Sequence, residues 1–555
     1  MLTITFQIEQ GNSVVLTARP GETLSDTARR GGVRLDVPCG GNGTCGKCRV
    51  RLLAGTAETQ PSAARTGTAE GWYLACRTYP RSDLTVLVPG TADAYRSGIK
   101  TADLSCETAH LFSEAFLRES DMPLSAFDTQ QCGIAIDIGT TTVSAVLFSF
   151  ADGRLLAQAS CGNGQIRYGA DVITRILSQG KPDGIAALQN AILHETLYPL
   201  LTALCKKAGV SPADIARVGI AANTTMAHFL LGVDAQCIRT EPYIPAFLRY
   251  DGLTAQTLSL PMWQDAQMRL APGVGAYVGG DITAGMLACR LWDTDALTLF
   301  IDLGTNGEIV LGNREFQLAC ACSAGPAFEG GDISCGMRAT DGAIEACSLV
   351  TGTLTPRLRV IGDKKPVGLC GSGLIDAVAA LLAAGAIDAR GRFVRENKRI
   401  RHDGSSCGSF VLATADESAD GREITLTETD ISSFIRAKGA IYAAVDCLLT
   451  SLDLRESAIE RLLLAGGIGS GIDLRNAVAV GMLPNIPLDR CRYIGNSALA
   501  GAYLLTASDA AEQRLSEIAR GMTYVELSAH PGYMEAFVAA CFLPHTDASR
   551  FIPLA

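Results

Sequence analysis

The sequence predicts a multidomain chain in which a small α+β module precedes two α/β lobes that face each other across a cleft. Three observations carry this prediction. At 555 residues the chain is too long for a single hydrophobic core. Three of its cysteines, Cys39, Cys45 and Cys48, crowd one glycine-rich loop, CGGNGTCGKC, near the N-terminus. A strand, Asp-x-Gly-Thr, strand pattern occurs twice, in GIAIDIGTTTVSAVLF from Gly133 and in LFIDLGTNGEIVLG from Leu299, about 165 residues apart, as expected of a duplicated lobe.

In the N-terminal module, Leu2 to Ile8 alternates apolar and polar residues, Ser13 to Ala18 is rich in β-formers, Leu24 to Arg30 reads as a short helix, and Leu84 to Val88 supplies a closing strand. Cys39, Cys45 and Cys48, with Cys76 in YLACRT, are spaced to hold a [2Fe–2S] cluster: the loop wraps one side and the distant cysteine closes the other. Glycines 40, 41, 43 and 46 let the loop turn and bring backbone N–H groups close to the cluster sulfides. A disulfide does not suit a reducing cytosol. A structural zinc site remains the other reading of the Cys-x-x-Cys pair, although zinc usually takes two short knuckles. With its elements and five-residue cysteine spacer, the module resembles a β-grasp-like [2Fe–2S] ferredoxin domain of the adrenodoxin branch over about the first 90 residues.

Charge is modest and acidic, net −10 from 47 basic and 57 acidic residues, which argues against an electrostatic nucleic-acid binder. The longest apolar run, Ala377 to Ile387, falls short of a membrane span, and no basic-then-apolar leader opens the chain, so a soluble, cytoplasmic protein without membrane partners is expected. Most of the 19 cysteines read as buried thiols acting as small hydrophobes, Cys320 and Cys322 in QLACACS among them. From about Gly90 to Gln131 periodicity fades, apart from a helical stretch near Leu111 to Leu117. The expected organisation is therefore a module at 1–90, a linker at 91–131, a first lobe at 132–290 and a second at 291–555. A linker of that length lets a tethered cluster swing between donor and acceptor.

An Asp-x-Gly hairpin is also an ordinary turn, but in a phosphate site each such turn lets backbone amides approach phosphate oxygens, its hydroxyl adds a donor, and its aspartate can hold Mg²⁺ through water or orient the attacking water. A third element, LLLAGGIGSGIDLRN from Leu462, is a buried strand running into a glycine-rich loop and then a helix, suited to adenine and ribose. Strands are expected at Gly133, Val143, Leu155, Arg217 and Ala276 in the first lobe. In the second they are expected at Leu299, Glu308, Glu315, Leu462 and Arg492, with helices over Gly180 to Ala208, Leu374 to Ala384, Ile431 to Leu449 and Ser497 to Leu505. Further glycine-rich stretches, AANTTMAHFLLG at Ala221, CSAGPAFEGGDISCGMRATDGAI at Cys322, VGLCGSGLID at Val367 and GNSALAGA at Gly495, are expected around the cleft.

These motifs resemble the superfamily of actin, the sugar and acetate kinases and the heat-shock chaperone ATPases. The resemblance implies two ribonuclease-H-like lobes, with phosphate motifs at Asp137 to Thr141 and Asp302 to Asn306 and an adenosine motif at Gly466 to Gly471. A ferredoxin module ahead of such an ATPase is a rare combination. Together with QIRYGADVITRI at Gln165, AFEGGDISCGMRA at Ala327, CGSGLID at Cys370 and FLPHTD at Phe542, it makes nearly the whole chain resemble the reductive activators of corrinoid-dependent enzymes.

That resemblance implies ATP-dependent return of a corrinoid protein or methyltransferase from inactive Co(II) to Co(I), with an electron passing through the [2Fe–2S] cluster. Cys39, Cys45, Cys48 and Cys76 would be the cluster ligands, Asp137 and Asp302 the organisers of Mg²⁺ and water, and Thr140, Thr141, Gly304, Thr305 and Asn306 the phosphate contacts. Gly466, Gly467 and Gly469 would border adenosine. No DxHxxG-type cobalamin signature is present, so the corrinoid belongs to a partner. The implied electron donor is a low-potential ferredoxin or flavodoxin, and homodimerisation stays open. A small-molecule kinase and an ATP-driven reductase of another low-potential metal centre are the alternative readings.

Overall fold

The computed structural model of the chain describes residues 2–9, 12–33, 35, 37, 41, 43, 48–61, 71–89, 100–103, 122–260, 265–350, 352–402, 407–419, 421–467 and 471–551. Its residues group into two compact units. The first holds the N-terminal module with Phe127–Phe247 and Asp251–Arg269, and the second holds 122–126 and Leu248–Tyr250 with the chain from Leu270 onward.

Strands Leu2–Ile8 (β1), Ser13–Ala18 (β2), Arg49–Ala54 (β3), Trp72–Leu74 (β4) and Leu84–Val88 (β5) form a sheet in the order β2–β1–β5–β3–β4. β1 is parallel to β5 and antiparallel to β2, while β3 is antiparallel to both β5 and β4. Alternation in β1 turns Ile4 and Phe6 inward, where they are buried with Leu24, Val50 and Val86. The helix Leu24–Arg30 begins at Thr23, whose hydroxyl accepts from the Asp26 N–H while the Asp26 carboxylate accepts from the Thr23 N–H. A parallel central pair with a short capped helix is the β-grasp arrangement expected of the module.

The first lobe is a six-stranded sheet of Lys100–Asp103 (β6), Cys132–Ile138 (β7), Thr142–Ser149 (β8), Leu155–Gly162 (β9), Ile215–Ala222 (β10) and Gln267–Leu270 (β11), in the order β11–β10–β7–β8–β9–β6. β7, β8 and β9 form an antiparallel meander, and β10 joins β7 in parallel. The second lobe repeats the plan with Thr298–Leu303 (β12), Gly307–Gly312 (β13), Gln317–Cys322 (β14), Arg461–Ala465 (β15), Cys491–Gly495 (β16) and Met522–Tyr524 (β17), ordered β16–β15–β12–β13–β14–β17. Here too a meander, β12–β13–β14, is followed by a parallel β15 on the β12 side. This shared topology is the ribonuclease-H-like lobe, present twice. Strands β7 and β12 are buried along their length except at one residue each, Asp137 and Asp302. The helix Glu428–Thr450 packs against β13 and β14 with Ile431, Phe434, Ile441 and Leu448 buried. No described helix is long and apolar enough to cross a membrane.

Some details differ from the sequence reading. The expected strand at Ala276 is absent. The N–H groups of Val274 and Gly275 both bond the Val278 carbonyl, so this glycine-rich stretch closes on itself. The edge strand is instead Gln267–Leu270. Within the expected linker, Lys100–Asp103 is a strand antiparallel to β9, and the helical stretch expected near 111–117 lies outside the described residues. The expected helix from Gly180 to Ala208 divides into Gly184–Ile192, a π-turn at Leu193–Leu197 and Tyr198–Ala208. The compact-unit boundary at 269/270 precedes the expected lobe boundary at 290 because the helix Gly280–Cys289 packs on Ser497–Ala507 in the second unit.

Candidate functional site

In the N-terminal module, Cys48 immediately precedes β3 and Cys76 sits in the 3₁₀ turn Ala75–Arg77 after β4. The two are tied by the backbone, since the Ala75 N–H donates to the Cys48 carbonyl at 2.8 Å, and both cysteines are buried. Two described glycines of the cysteine loop, Gly41 and Gly43, lie beside this 3₁₀ turn. Gly43 has φ +72°, and a β-carbon there would lie 2.3 Å from Arg77 Nε; one at Gly41 would lie 4.0 Å from Cys76 Cβ. The positive φ of Gly41 and Gly43 beside Cys76 and Arg77 suits a glycine loop that turns tightly next to the 3₁₀ turn. Cys39 and Cys45 lie outside the described residues. Cys320 and Cys322 are fully buried strand residues, and burial pushes the Cys322 thiol up to about 12, in keeping with packing rather than ligation.

In the first lobe, Asp137 stands opposite Ser144 near the end of the β7–β8 hairpin. Thr140 and Thr141 form its turn, and three successive carbonyls of that turn are held by other parts of the lobe. Asn163 Nδ2 donates to Gly139 O at 2.9 Å, Arg175 Nη2 to Thr140 O at 2.5 Å, and the Asn163 N–H to Thr141 O at 2.9 Å. The C=O and following N–H of a trans peptide point in opposite directions, so the bond to Arg175 aims the Thr141 N–H away from it. Asn223, the N-cap of Thr224–Leu230, donates to Thr140 Oγ1 at 3.0 Å. Arg175 is fully buried and also donates to Gly169 O and Gln165 Oε1, which makes QIRYGADVITRI a brace behind the turn.

In the second lobe, Asp302 on β12 pairs in register with Glu308 on β13 and with Ala465 on β15. Burial pushes the Glu308 carboxyl well above the usual carboxylate range, and the Asp281 and Asp302 carboxylates push it further; a hydrogen bond from Asn306 opposes them. The turn is closed by Gly304 N–H to Asn306 O at 3.0 Å, and the Thr305 hydroxyl donates to Glu329.

The glycine-rich stretch that follows β15 begins directly against this turn. Gly466 has φ +92°, and a β-carbon there would lie 2.4 Å from Leu303 O and 2.6 Å from Asp302 Oδ1. Its carbonyl accepts from Tyr493 Oη at 2.9 Å and its N–H donates to Gly495 O at 3.2 Å. Gly467 leaves open space around its α-carbon, and Gly469 lies outside the described residues. Beyond the loop, Gly471 lies against Ser372, and Asn476 donates to Asp376 Oδ1 at 2.7 Å, so CGSGLID meets the strand's following helix. Asp302, Gly304, Thr305, Asn306 and Gly466 thus share one site in the second unit. Asp137, Thr140 and Thr141 share another in the first.

Asn163, Arg175, Asn223, Glu308 and Glu329 are partners that the sequence reading did not single out. Arg175, Asn223 and Glu329 fall in stretches flagged for their glycines or their family likeness, and Glu308 follows the second Asp-x-Gly-Thr turn.

Three family models match the chain: a 2Fe-2S iron-sulfur cluster binding domain over residues 7–81, the RACo middle region over 132–294, and the C-terminal domain of RACo, described as the ASKHA domain, over 296–554. The chain is 31% identical to the corrinoid activation enzyme RamQ of Eubacterium limosum, over 93% of this chain and 95% of that protein. It is 26% identical to the [Co(II) methylated amine-specific corrinoid protein] reductase of Methanosarcina barkeri, over 47% of this chain and 48% of that one. Among solved structures, a reductive activator for a corrinoid, iron-sulfur protein superposes with a TM-score of 0.70 at 35% identity, covering 99% of this chain and 100% of that one. With the ferredoxin module, the doubled lobe and these relatives all in agreement, the chain belongs to the family of corrinoid reductive activators, in which an N-terminal 2Fe–2S ferredoxin domain is fused to an ASKHA domain.

Proposed function

We propose that the chain couples ATP hydrolysis to one-electron reduction of a corrinoid protein or corrinoid-dependent methyltransferase, returning its cobalt from Co(II) to Co(I). The observation that carries the ATP part of this reading is the contact at Gly466, where the adenosine loop closes onto the Asp302 carboxylate with no room for a side chain. A nucleotide lying along that loop would place its phosphates at the Asp302 to Asn306 turn. Asp137 and Asp302 would organise Mg²⁺ and the attacking water. Thr140, Thr141, Gly304, Thr305 and Asn306 would meet the phosphates or the cation, and Gly466, Gly467 and Gly469 would border adenosine.

Cys39, Cys45, Cys48 and Cys76 would hold the cluster, which supplies a single electron at low potential. Plant-type [2Fe–2S] ferredoxins lie near about −400 mV, and reducing Co(II) in a corrinoid is harder, so transfer needs a bias. ATP supplies one if the chain's affinity for its partner differs between nucleotide states; a coupling of roughly 1–3 kcal/mol is typical. The partners are then a corrinoid protein, which carries the cobalt, and a low-potential donor such as a ferredoxin or flavodoxin.

Asp302→Ala tests this reading. Hydrolysis should fall by orders of magnitude and Co(I) formation should fall with it, while chemical reduction of the cluster proceeds normally. Undiminished Co(I) formation by a variant that hydrolyses no ATP would remove hydrolysis from the mechanism.

A further inference from the structure

Thr305 closes the phosphate-binding turn of the second lobe, and its hydroxyl lies 3.1 Å from each oxygen of the Glu329 carboxylate. A threonine hydroxyl has one proton and two lone pairs, whereas a carboxylate only accepts. The proton is therefore directed at Glu329. What Oγ1 can offer a ligand in this arrangement is a lone pair, which suits a divalent cation or the water on one and does not suit a phosphate oxygen, itself an acceptor.

The backbone that carries Glu329 is held independently of Thr305. It ends the 3₁₀ turn Pro326–Glu329, whose return is fixed by Gly330 N–H to Ala327 O and Gly331 N–H to Pro326 O. A few residues on, the N–H and hydroxyl of Ser334 donate to the buried Asp430 carboxylate at 2.7 and 2.6 Å, anchoring the loop to the helix Glu428–Thr450. Thr305 is itself almost fully buried. A carboxylate carried on a fixed turn and set against a buried hydroxyl orients that hydroxyl's proton, much as an outer partner orients a metal ligand.

We propose that Glu329 is a positioning residue that turns Thr305 into a cation-side acceptor, so that this threonine serves Mg²⁺ or its bound water and not the phosphates. The inference rests on the ATP-dependent reading above and assigns a task within that site.

The test uses the full chain and measures affinity for a non-hydrolysable ATP analogue with and without Mg²⁺, and binding of Mn²⁺ alone by its free-ion EPR signal in the presence of the analogue. Glu329→Ala and Thr305→Val should each reduce the affinity gained on adding the cation by about tenfold, the lower range for loss of an outer partner of a metal ligand. Cation-free affinity should stay within about twofold. Thr305→Ser should retain the wild-type gain, and the double variant should lose no more than either single one. Equal loss with and without cation, or an unchanged cation-dependent gain, would overturn this inference alone. Failure of the wild-type chain to bind the analogue under either condition would overturn the ATP reading beneath it as well. Thr305→Val keeps the proposal open to refutation if Glu329→Ala does not fold.

Discussion

Gly466→Ala is the substitution whose consequence can be worked most directly from the structure. Two costs arise from one methyl group. The backbone at Gly466 has φ +92°, a region in which an L-residue costs roughly 1–2 kcal/mol. The new β-carbon would also lie 2.4 Å from Leu303 O and 2.6 Å from Asp302 Oδ1, so either the loop lifts or Asp302 moves. A displacement on the order of 1 Å in a positioned group costs about a hundredfold in rate. The strain alone converts to about 5- to 30-fold in loop occupancy, since 1.4 kcal/mol is about a factor of ten.

The expected outcome is a fall in ATP hydrolysis of about a hundredfold or more, weaker nucleotide binding, and an unchanged cluster spectrum. Gly521→Ala is the internal control, because a β-carbon at the end of the helix Asp509–Gly521 meets nothing within 4 Å and the residue takes no part in the loop; it should stay within a few-fold of wild type in both assays. Steady-state phosphate release and nucleotide titration on the two variants decide the matter. Activity of Gly466→Ala equal to that of Gly521→Ala would refute the claim that the adenosine loop and Asp302 form one site.

Other expectations follow from separate regions of the chain. Cys76→Ser should abolish or badly destabilise the [2Fe–2S] visible spectrum while leaving nucleotide binding intact, because the module has a core of its own; a purified wild-type protein with zinc and no iron would count against it. Arg175→Met removes a buried cation that holds Thr140 O, Gly169 O and Gln165 Oε1. It should lower stability by about 1.5–3 kcal/mol or more in a denaturant titration and raise the KM for ATP. Burial pushes the Lys438 ammonium, which donates to the Phe542 and Pro544 carbonyls, from its usual 10.5 down to about 7. Between those values the unfolded chain binds more protons than the folded one, so stability should rise with pH by on the order of 1 kcal/mol per unit from pH 7 upward, a slope that Lys438→Met should flatten.

Much of this molecule could be read from local patterns. The hairpins carrying Asp137 and Asp302 announce themselves because each combines an apolar strand, a glycine turn and a second apolar strand within about 15 residues. The cysteine loop is similarly compact. What escaped the sequence reading lies far from its partner along the chain. Arg175 is 35 residues from the Thr140 carbonyl it holds, Asn223 is 83 from the Thr140 hydroxyl, and Glu329 is 24 from Thr305. No periodicity encodes such pairings.

The misplaced strand at Ala276 has a different cause. A short Ala-Tyr-Val run between glycines satisfies the β-pattern, but its backbone bonds are made locally, and the sheet edge is taken by the more polar Gln267–Leu270, in which Met268 is buried. The strand Lys100–Asp103 was hidden for a related reason. It lies at the edge of its sheet, pairing only with β9 among the described residues, and such a strand needs little hydrophobic patterning.

The central claim is that ATP drives an electron from this chain's cluster to a partner's cobalt. The most direct measurement mixes the reduced full-length protein with Mg²⁺-ATP and a Co(II) corrinoid protein under anaerobic conditions and follows the Co(I) absorption band. Co(I) should form with ATP present and fail to form without nucleotide or with the Cys76→Ser chain. Co(I) formation at the same rate and extent without any nucleotide would contradict the coupled mechanism, and its formation by the cluster-free variant would show that the electron takes another path.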